Sequence, residues 1–538
     1  MDNGLALDKA LGGSRLALAG DRSLTMDERH LILQGKGMMP PTADKPSLLI
    51  PSVACLDPAF KKSSRSCCAS ASTSTPPCTS GRRLIPLYNV LWAELSGTKV
   101  VITYAAQPSK TSIKAESWGG ELYASGDYPE DSQPEFFIAD LVSRAYGDAQ
   151  PQRRAYVLIN PSSGPGGALR KWERDVLPLF KAARMHMDVV TLTRGGEATE
   201  LAEKVDIDKY DTIMACSGDG TPHEVFNGLA RRADARRALS KIAVSHIPCG
   251  SGNAMSCNLY GSSRPAFAAL AIIKGVVTPL DLVSITQGDR RFVSFLSQAI
   301  GIIAESDLAT EHLRWMGSAR FDLGVFARVF RRKCYPCDLA IKVEVGDEDG
   351  KDGVRAYYKR HTSDVSLAKA PALGESGGEG EGEGLPPLKY GTVQDELPGG
   401  WELSSRDKIG TFYCGNMAFM APDVNFFSAA MASDGCMDMV SINGDLRPLT
   451  ALKTLMSVET SKFFDSPHVS YKKVSAYRIT PREQKEGYIS IDGERVPFAP
   501  FQAEVHRALG RVISKRGCFE ADGPANWDSI SVAGKPYA

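Results

Sequence analysis

Three short apolar segments of this chain each run into a glycine-rich loop, and each loop precedes a segment of helical length. AYVLI, TIMAC and IAVSHI are followed by NPSSGPGGA (160–168), SGDGTPHE (217–224) and PCGSGNAM (248–255), and a fourth apolar segment, DVVTL, lies after the first loop. Short strands that alternate with helices in this way favour a parallel sheet. We therefore predict an α/β domain between residues 155 and 259, with its ligands at the carboxyl ends of the strands.

The three glycine loops predict an anion site. Glycine lets backbone N–H groups approach an anion closely, and a helix that begins just beyond the loop adds its positive end. One loop alone would carry little weight, because strand-to-helix turns need glycine for their geometry, but three at one edge favour a polyphosphate. The chain has no G-x-x-x-x-G-K-[ST] motif, and Gly164-Pro165-Gly166 lacks the third spaced glycine of a dinucleotide fingerprint, so both standard nucleotide motifs are weakened.

Asp219 lies between Gly218 and Gly220 in the second loop, where its negative charge would repel a phosphate. We interpret it as acting on something beside the phosphate, either a hydroxyl group to be deprotonated or a magnesium ion. Pro222 fits the first turn of the helix that follows. Glu224 would then lie near the positive end of that helix, where it either belongs to the site or serves only as a helix cap.

The remainder of the chain changes pattern several times. After residue 275, two-residue alternation in segments such as RFVSFLS, DLAIKVEV and GYISIDGERV predicts a second, largely antiparallel domain. Residues 61–81 are rich in Ser, Thr and Cys, and the polar stretch 347–405 contains the tract GESGGEGEGEG, so neither composition builds a core. The predicted organisation is a disordered region (1–82), a small N-terminal module (83–150), the α/β domain (151–274), the antiparallel domain with its disordered insertion (275–518), and a C-terminal tail (519–538).

The charge balance of the chain argues against nucleic acid as a partner. Lys plus Arg and Asp plus Glu number 63 each, which leaves no overall field to attract a polyanion. The sequence shows no secretory signal pattern and no long uninterrupted apolar run, and its 12 cysteines fit reduced thiols better than a disulfide framework. We expect a cytoplasmic protein. Cys67 and Cys68, beside Lys61 and Lys62, suit reversible acylation and a peripheral membrane contact, and an unmodified tail is an equal alternative.

Six motifs between Ala155 and Phe519 carry a resemblance to a known family. They are SGDGTPHEVFNGL, IPCGSGNAM, ESDLATEHLRWMGSARF, GNMAFMAPDVNFF, SDGCMD and IDGERV, in that order along the chain. The chain resembles a sphingoid long-chain-base kinase (sphingosine kinase) of the fungal type, within the diacylglycerol kinase and NAD kinase superfamily. The resemblance implies an N-terminal α/β, Rossmann-like nucleotide-binding domain, a C-terminal antiparallel β-sandwich domain and an active site in the cleft between them. It also implies that the protein uses ATP and Mg²⁺.

The resemblance further implies roles for individual residues. Asp219 corresponds to the catalytic base that takes the proton of the lipid's primary hydroxyl, Asp492 to a residue that reaches the magnesium ion, and Asp307 to the contact with the lipid's amino head group. The residues implied in nucleotide binding are Asn160, Pro161, Ser162, Thr193, Glu224, Gly250, Ser251, Gly252, Arg314, Arg320, Asp492, Gly493 and Glu494. Those implied in substrate binding are Ser217, Gly218, Asp219, Gly220, Ser297 and Asp307.

Several of these assignments have alternatives in the sequence itself. Without the resemblance, the DGE segment at 492–494 would be interpreted as a hairpin turn, and Arg314 and Arg320 could equally form surface ion pairs on a helix. Where the family usually carries a lysine in the first loop this chain has Pro165, and a Glu-Ala pair at 197–198 replaces a His-Ala pair. Both departures lower the positive charge near the nucleotide.

The leading hypothesis is transfer of the γ-phosphate of ATP to the primary alcohol of sphinganine, phytosphingosine or sphingosine. A kinase for diacylglycerol or ceramide is the first alternative, suggested by Thr221 directly after GDG, but Asp307 argues against it because those lipids lack the sphingoid amine. NAD kinase is less favoured, since the second domain carries the lipid-kinase motifs. A non-catalytic lipid-binding scaffold is the alternative from another class, and retention of Asp219, both arginines (Arg314 and Arg320) and DGE together argues against it. A homodimer is left open.

Overall fold

The structure is a computed structural model. It describes residues 15–20, 22–35, 82–123, 133–309, 329, 332–346, 349–363, 384–460, 462–482, 484 and 487–530. The chain divides into two compact units, an N-terminal unit of residues 1–152 with 173–185 and a C-terminal unit of residues 153–172 with 186–538.

In its described part, the N-terminal unit contains a four-stranded and a three-stranded sheet, both antiparallel. The strands are β1 (Arg15–Leu18), β2 (Arg22–Met26), β3 (His30–Gln34) and β4 (Arg82–Pro86) in the first sheet, and β5 (Val90–Ser96), β6 (Lys99–Ser109) and β7 (Ser112–Glu121) in the second. A 3₁₀ turn, Leu87–Asn89, precedes β5. The helices of this unit are α1 (Pro134–Tyr146) and α3 (Leu177–Ala182). Between them along the chain come α2 (Ala168–Lys171), which belongs to the other unit, and a π turn (Trp172–Val176).

The disorder that the sequence predicts for residues 1–82 is wrong for residues 15–34. Each of the three strands in this range buries apolar side chains, among them Leu16 and Leu31. These strands are four or five residues long, and their sheet is completed by β4, which comes only after the Ser- and Cys-rich segment. A local pattern in such short segments does not reveal pairing across a long polar interval. Residues 36–81 lie outside the described residues.

The parallel strands that the sequence predicts are present in the C-terminal unit. β8 (Arg154–Ile159), β9 (His186–Thr191), β10 (Thr212–Ser217) and β11 (Ala243–Pro248) lie in the order β9-β8-β10-β11, and each neighbouring pair is parallel. The side chains of β10 and β11 are buried along their whole length, which is typical of strands inside a parallel sheet. The helices that follow are α4 (Glu197–Lys204), α5 (Gly220–Ala230), α6 (Ala235–Lys241), α7 (Ala254–Tyr260) and α8 (Pro265–Ile273).

The rest of the C-terminal unit is largely antiparallel. Its strands are β12 (Val276–Gln287), β13 (Arg290–Ser294), β14 (Ser297–Gly301), β15 (Cys337–Val345), β16 (Glu402–Arg406), β17 (Ile409–Gly415), β18 (Phe419–Ala421), β19 (Val424–Asn425), β20 (Met437–Asn443), β21 (Ser470–Pro481), β22 (Ile489–Ile491), β23 (Glu494–Val496) and β24 (Phe501–Ser514). Its helices are α9 (Ile302–Ala309), α10 (Gly350–Ser363) and α11 (Pro448–Met456), with a 3₁₀ turn at Trp527–Ser529. Successive residues of β17 enter two different apolar clusters, Phe412 one and Tyr413 the other, so both faces of this strand are buried.

One sheet runs through the parallel and antiparallel parts. Its strand order is β23-β22-β14-β17-β20-β21-β24-β11-β10-β8-β9. β24 lies at the junction, because it pairs parallel to β11 at Val512 and Val244 and antiparallel to β12 and β21. The sequence predicts a domain boundary near residue 274, whereas the hydrogen-bonded sheet of the structure continues across it.

The polar stretch 347–405, predicted to be a disordered insertion, contains regular structure. In α10 the ring of Tyr358 meets that of Trp527 edge-on, with 5.2 Å between the ring centroids. Further along, the Glu504 carboxylate accepts two backbone N–H groups from this stretch. A helix with so few apolar residues leaves little periodic signal in the sequence, which explains the wrong prediction. Residues 364–383 lie outside the described residues.

Candidate active site

The three glycine loops meet at the carboxyl ends of β8, β10 and β11. The backbones at Gly218 and Gly250 lie so close that a Cβ atom at position 250 would be 2.5 Å from Gly218 Cα. Likewise, a Cβ atom on Gly164, which has a φ of 55°, would be 2.9 Å from the carbonyl oxygen of Cys249. Glycine is required at both positions, because any side chain would collide with the backbone of a neighbouring loop.

Two polar side chains that the sequence analysis did not single out hold these loops together. The N–H of Gly218 donates to Ser163 Oγ at 3.2 Å. Asn253, whose φ is 55°, uses its side-chain amide to bond both the N–H and the carbonyl of Gly250, at 2.8 and 2.9 Å. Ser163 thus links the first loop to the second, and Asn253 closes the turn of the third loop.

Asn160, Pro161 and Ser162 open the first loop. Asn160 Oδ1 accepts the N–H of Ser162 at 3.1 Å, which closes the turn through a local side-chain bond. Asn160 Nδ2 lies 3.4 Å from Thr221 Oγ1, the residue after GDG in the second loop. Pro161 and Ser162 are exposed, as a nucleotide contact requires.

A lysine that was not among the predicted site residues brings a positive charge to this edge of the sheet. Lys171, the last residue of α2, donates its Nζ hydrogen to the carbonyl oxygen of Cys249 at 3.4 Å. The first loop has Pro165 where the family usually has a lysine. Lys171 therefore supplies a cation beside the loops that the loop sequence itself lacks.

The carboxylate of Asp219 is held by the first turn of α7. Its Oδ2 accepts the N–H of Ala254 and its Oδ1 the N–H of Met255, both at 3.0 Å. A Cβ atom on Gly252 would lie 3.3 Å from Oδ2, so a side chain there would crowd the carboxylate. Because each oxygen accepts one of these bonds and the side chain is 16% exposed, the carboxylate retains capacity for a further hydrogen-bond partner. An acceptor fixed in this way can take a proton from a hydroxyl group beside the phosphate edge.

Asp492 is buried, and protein donors surround both of its carboxylate oxygens. Oδ1 accepts Ser294 Oγ–H at 2.6 Å and the N–H groups of Leu296 and Ser297 at 3.0 and 2.9 Å, while Oδ2 accepts the N–H of Phe295 at 3.0 Å and His223 Nδ1–H at 2.8 Å. Five donors leave no lone pair for a metal ion. The predicted role of Asp492 as a magnesium ligand does not fit this structure, in which Asp492 instead anchors the turn that precedes β14.

Asp492 and His223 form a buried ion pair. Burial acts to raise the pKa of Asp492, but the hydrogen bonds from His223 and Ser294 outweigh it, and the pKa is lowered. Burial acts to lower the pKa of His223, but its bond to Asp492 outweighs burial and raises the pKa. The two shifts agree in direction, so the charged pair is the stable form. His223 belongs to the second glycine loop, SGDGTPHE, and nothing in that sequence indicates its pairing with Asp492.

Asp492 and Gly493 form the two-residue turn between β22 and β23. Both have a positive φ, 53° and 84°, as a tight type I′ hairpin turn requires. The hairpin that the sequence alone favours is therefore present. Glu494 begins β23, and its Oε1 lies 3.0 Å from where a Cβ atom on Gly220 would be. The hairpin thus places an exposed carboxylate beside the Asp219 turn.

Glu224 and Thr193 take part in contacts within the protein. Glu224 does not cap its own helix, because its Oε2 accepts the N–H of Ala198 in the first turn of α4, at 3.1 Å. Thr193 donates its N–H and its hydroxyl to Glu197 at 2.6 and 2.9 Å. The Thr193 N–H also holds the pKa of Glu197 below its usual value. Both donors that Thr193 could offer a nucleotide are therefore engaged by the glutamate that replaces the family's histidine.

Ser297 and Asp307 lie on consecutive elements. Ser297 begins β14, and its hydroxyl is 3.4 Å from the hydroxyl of Tyr413. Asp307 lies on α9, which follows β14 directly, and its side chain is outside the described part of the structure. The other predicted residues that lie outside the described residues are Arg314, Arg320, Cys67 and Cys68.

Two general features of the described residues bear on membranes and metals. Within the ranges that the structure describes, no helix is long and apolar enough to span a bilayer. In the same ranges, no three His, Cys, Asp or Glu side chains come together as a metal site.

Comparisons with known proteins agree with this geometry. The diacylglycerol kinase catalytic domain family matches residues 154–285, and a domain of unknown function, DUF7493, matches residues 14–147. Sphingoid long chain base kinase 4 of Schizosaccharomyces pombe is 33% identical over 438 residues, which cover 81% of this chain and 89% of that protein. The chain belongs to the sphingoid long chain base kinase family.

Other members of the family show the same likeness. Sphingoid long chain base kinase 5 of Saccharomyces cerevisiae is 33% identical, and the match covers 71% of this chain but only 62% of that protein's length. Human sphingosine kinase 1 is 28% identical, with 70% of this chain and 93% of the human protein covered. The resemblance inferred from the six sequence motifs is confirmed.

Proposed function

We propose that this member of the sphingoid long chain base kinase family transfers the γ-phosphate of ATP to the primary hydroxyl of a sphingoid base, giving the 1-phosphate and ADP. The observation that carries the proposal is the position of Asp219, whose carboxylate is oriented by α7 at the edge where three glycine loops meet. A polyphosphate site beside a fixed proton acceptor meets the two main requirements of phosphoryl transfer to an alcohol.

In this mechanism the loop N–H groups and Lys171 hold the phosphates of ATP. The lipid hydroxyl donates a hydrogen bond to Asp219, and its oxygen attacks the γ-phosphorus as the bond to the leaving ADP oxygen breaks. The hydroxyl proton passes to Asp219. Because the loops and the carboxylate are held by protein contacts, little reorganisation is needed during the reaction. The residues we propose to line the nucleotide are Asn160, Pro161, Ser162, Gly250, Ser251, Gly252, Gly493 and Glu494.

Magnesium would accompany ATP into this site. In kinases Mg²⁺ keeps several waters and takes only one or two protein carboxylates besides the phosphates, so a preformed cage of protein ligands is not required. Asp492 does not fit as a ligand, whereas Glu494, exposed beside Gly220, does. When bound, the ion would neutralise charge on the phosphates.

The structure removes one argument for diacylglycerol or ceramide as the lipid. Thr221, whose position after GDG suggests that alternative, is 4% exposed, and its hydroxyl faces Asn160 of the first loop. We place the lipid along α9, where Asp307 would pair with the protonated amine and Ser297 begins the strand that leads into the helix. A carboxylate in an apolar cleft is costly without a cationic partner, and neither alternative lipid supplies one.

We also propose that the enzyme takes its lipid from a membrane surface. α11 exposes Leu449 and Met456, by 75% and 58%, and the exposed cations Arg447 and Lys453 lie on or next to this helix. Apolar side chains flanked by basic ones suit an anionic bilayer. On this arrangement the parallel part of the C-terminal unit binds the nucleotide and the antiparallel part the lipid. A homodimer stays a prediction from the sequence.

The test of the function is to incubate the protein with labelled ATP, magnesium and a panel of sphinganine, phytosphingosine, sphingosine, diacylglycerol and ceramide. We expect label in the sphingoid bases only. Asp219→Asn should lower kcat about a hundredfold to ten-thousandfold with ATP binding retained, because the amide fills the same space but cannot take a proton. Asp423→Asn is the matched control, since Asp423 is a carboxylate that, like Asp219, acts electrostatically on Cys257, and its positive φ of 63° is one that asparagine tolerates. Label in diacylglycerol, or equal rates in both variants, would contradict the proposal.

A further inference from the structure

His246 lies in β11 and is completely buried. Its Nε2 is 2.9 Å from the carbonyl oxygen of Ser217, at the end of β10. A carbonyl oxygen only accepts, so Nε2 carries the ring hydrogen and Nδ1 has a bare lone pair. Nδ1 finds no hydrogen-bond donor among the described residues and lies 3.9 Å from Asp219 Oδ1.

The surroundings of the ring keep it neutral. Burial lowers the pKa of His246 and outweighs the charge of Asp219, which acts to raise it. From α7, Tyr260 accepts the backbone N–H of His246 at 3.2 Å, and burial raises the pKa of both Tyr260 and Cys257, so neither adds charge. Among the other elements beside β11, α8 carries no titratable side chain, His223 of α5 is paired with Asp492, and Glu224 of α5 accepts the N–H of Ala198. Cys216 of β10 has a raised pKa, β24 pairs with β11 through Val512, and Asp219 is the charge that acts on the ring.

The resulting arrangement is unfavourable while Asp219 is ionised, because a nitrogen lone pair faces a carboxylate oxygen. It becomes favourable once Asp219 is protonated, because the new O–H can turn to Nδ1 and form an O–H···N hydrogen bond when the two atoms move together by about 1 Å from their 3.9 Å separation. The backbone N–H groups of Ala254 and Met255 have the opposite preference, since they stabilise the ionised carboxylate. His246 thus offers the protonated carboxylate an acceptor, which those two donors cannot provide.

We propose that His246 is a positioning residue that accepts a hydrogen bond from Asp219 after Asp219 has taken the proton of the lipid hydroxyl. The proposal rests on Asp219 acting as the base, as proposed above. One O–H bond breaks on the lipid and one forms on Asp219, the ring keeps its own hydrogen on Nε2, and Asp219 returns the proton to water after the products leave. The contact strengthens as the proton moves onto Asp219, and an interaction that is stronger in the transition state than in the ground state accelerates a reaction.

The first experiment compares His246→Gln with Tyr260→Phe. The glutamine amide can still donate to the Ser217 carbonyl, but it lacks the basic ring nitrogen. We expect kcat to fall about tenfold and the acid limb of the kcat profile to move about one pH unit lower, because the protonated carboxylate of Asp219 then lacks the ring nitrogen as a hydrogen-bond acceptor. The KM for ATP should stay within twofold. Tyr260→Phe disturbs the same buried contact without touching Nδ1, so its acid limb should not move.

A second measurement does not depend on activity or on the folding of a variant. In wild-type protein with ¹⁵N-labelled histidine, His246 should show a protonated Nε2 and an unprotonated Nδ1, and Asp219→Asn should shift the Nδ1 resonance because its amide can donate to that nitrogen. A protonated Nδ1, an unmoved acid limb in His246→Gln, or equal shifts in both variants would overturn the proposal. A wild-type protein that phosphorylates no lipid would overturn the proposed function instead, and would leave the nitrogen assignments as they are.

Discussion

Replacing Asp492 with asparagine should destabilise the C-terminal unit far more than a substitution in a two-residue turn ordinarily does. The asparagine oxygen can keep the three donors that now bond Oδ1, but its NH₂ group would face the N–H of Phe295, and the ion pair with His223 would be lost. Removing one partner of a buried pair costs about 3–5 kcal/mol, and two lost hydrogen bonds to a charged group at about 1.5–3 kcal/mol each give a similar total. We therefore expect the free energy of unfolding to fall by about 3–5 kcal/mol.

The assay is urea unfolding of wild type and Asp492→Asn, without nucleotide or magnesium, followed by circular dichroism. Glu494→Gln is the matched control, because Glu494 lies two residues further on and is exposed, and its unfolding should stay within about 0.5 kcal/mol of wild type. If Asp492 acted chiefly as a magnesium ligand, Asp492→Asn would unfold like wild type and would lose only the stabilisation that added Mg·ATP provides. That result would refute the assignment of Asp492 as a structural anchor.

Three further predictions follow from the same contacts. The pKa of His223 is raised in the folded protein, so the stability that His223 contributes is fully present below its unfolded pKa of about 6.5 and is lost as pH rises through its folded pKa. The difference in unfolding free energy between wild type and His223→Gln should therefore shrink from pH 6 to pH 9. A constant difference would contradict the ion pair. Asp307→Ala should raise the KM for sphinganine at least about tenfold with little change in the KM for ATP, and unchanged sphinganine kinetics would remove Asp307 from the lipid site. Leu449→Glu should weaken binding to anionic vesicles about tenfold or more, whereas Leu403→Glu, at a residue 69% exposed on β16, should not; an equal loss in both would argue against α11 as the membrane contact.

The parts of the fold that could be predicted are those with a strong local pattern. β10 and β11 are short, apolar and followed by glycine, so strand type and the edge that carries the loops follow from the sequence. β1 to β3 were missed because each is only four or five residues long and their sheet is completed by a strand beyond a long polar segment. α10 was missed for a related reason, since it buries only two apolar side chains, Val354 and Tyr358, in a charged stretch.

The residue types of the site could be predicted from the sequence, but many of the hydrogen bonds that these residues make could not. The DG pair at 492–493 indicates a tight hairpin, but the donors that occupy Asp492 come from the turn at 294–297 and from α5, and no local pattern reveals which distant groups a side chain will meet. The replacement of a histidine by Glu197 is visible in the sequence as a loss of positive charge. The Glu197 carboxylate accepts two hydrogen bonds from Thr193 and so closes its own turn. This contact depends on backbone geometry, which the spacing of residues in the sequence does not reveal.

The position of β24 near the end of the chain matters for folding during synthesis. The ribosome completes β8 to β11 long before it reaches residues 501–514, so the nascent parallel sheet has an unpaired edge on β11 while most of the antiparallel part is still being made. Unpaired strand edges are templates for pairing with other chains. A message with a premature stop codon before residue 501 would therefore yield a product that already carries Asp219 and all three glycine loops, yet aggregates or is degraded instead of acting as a weak enzyme.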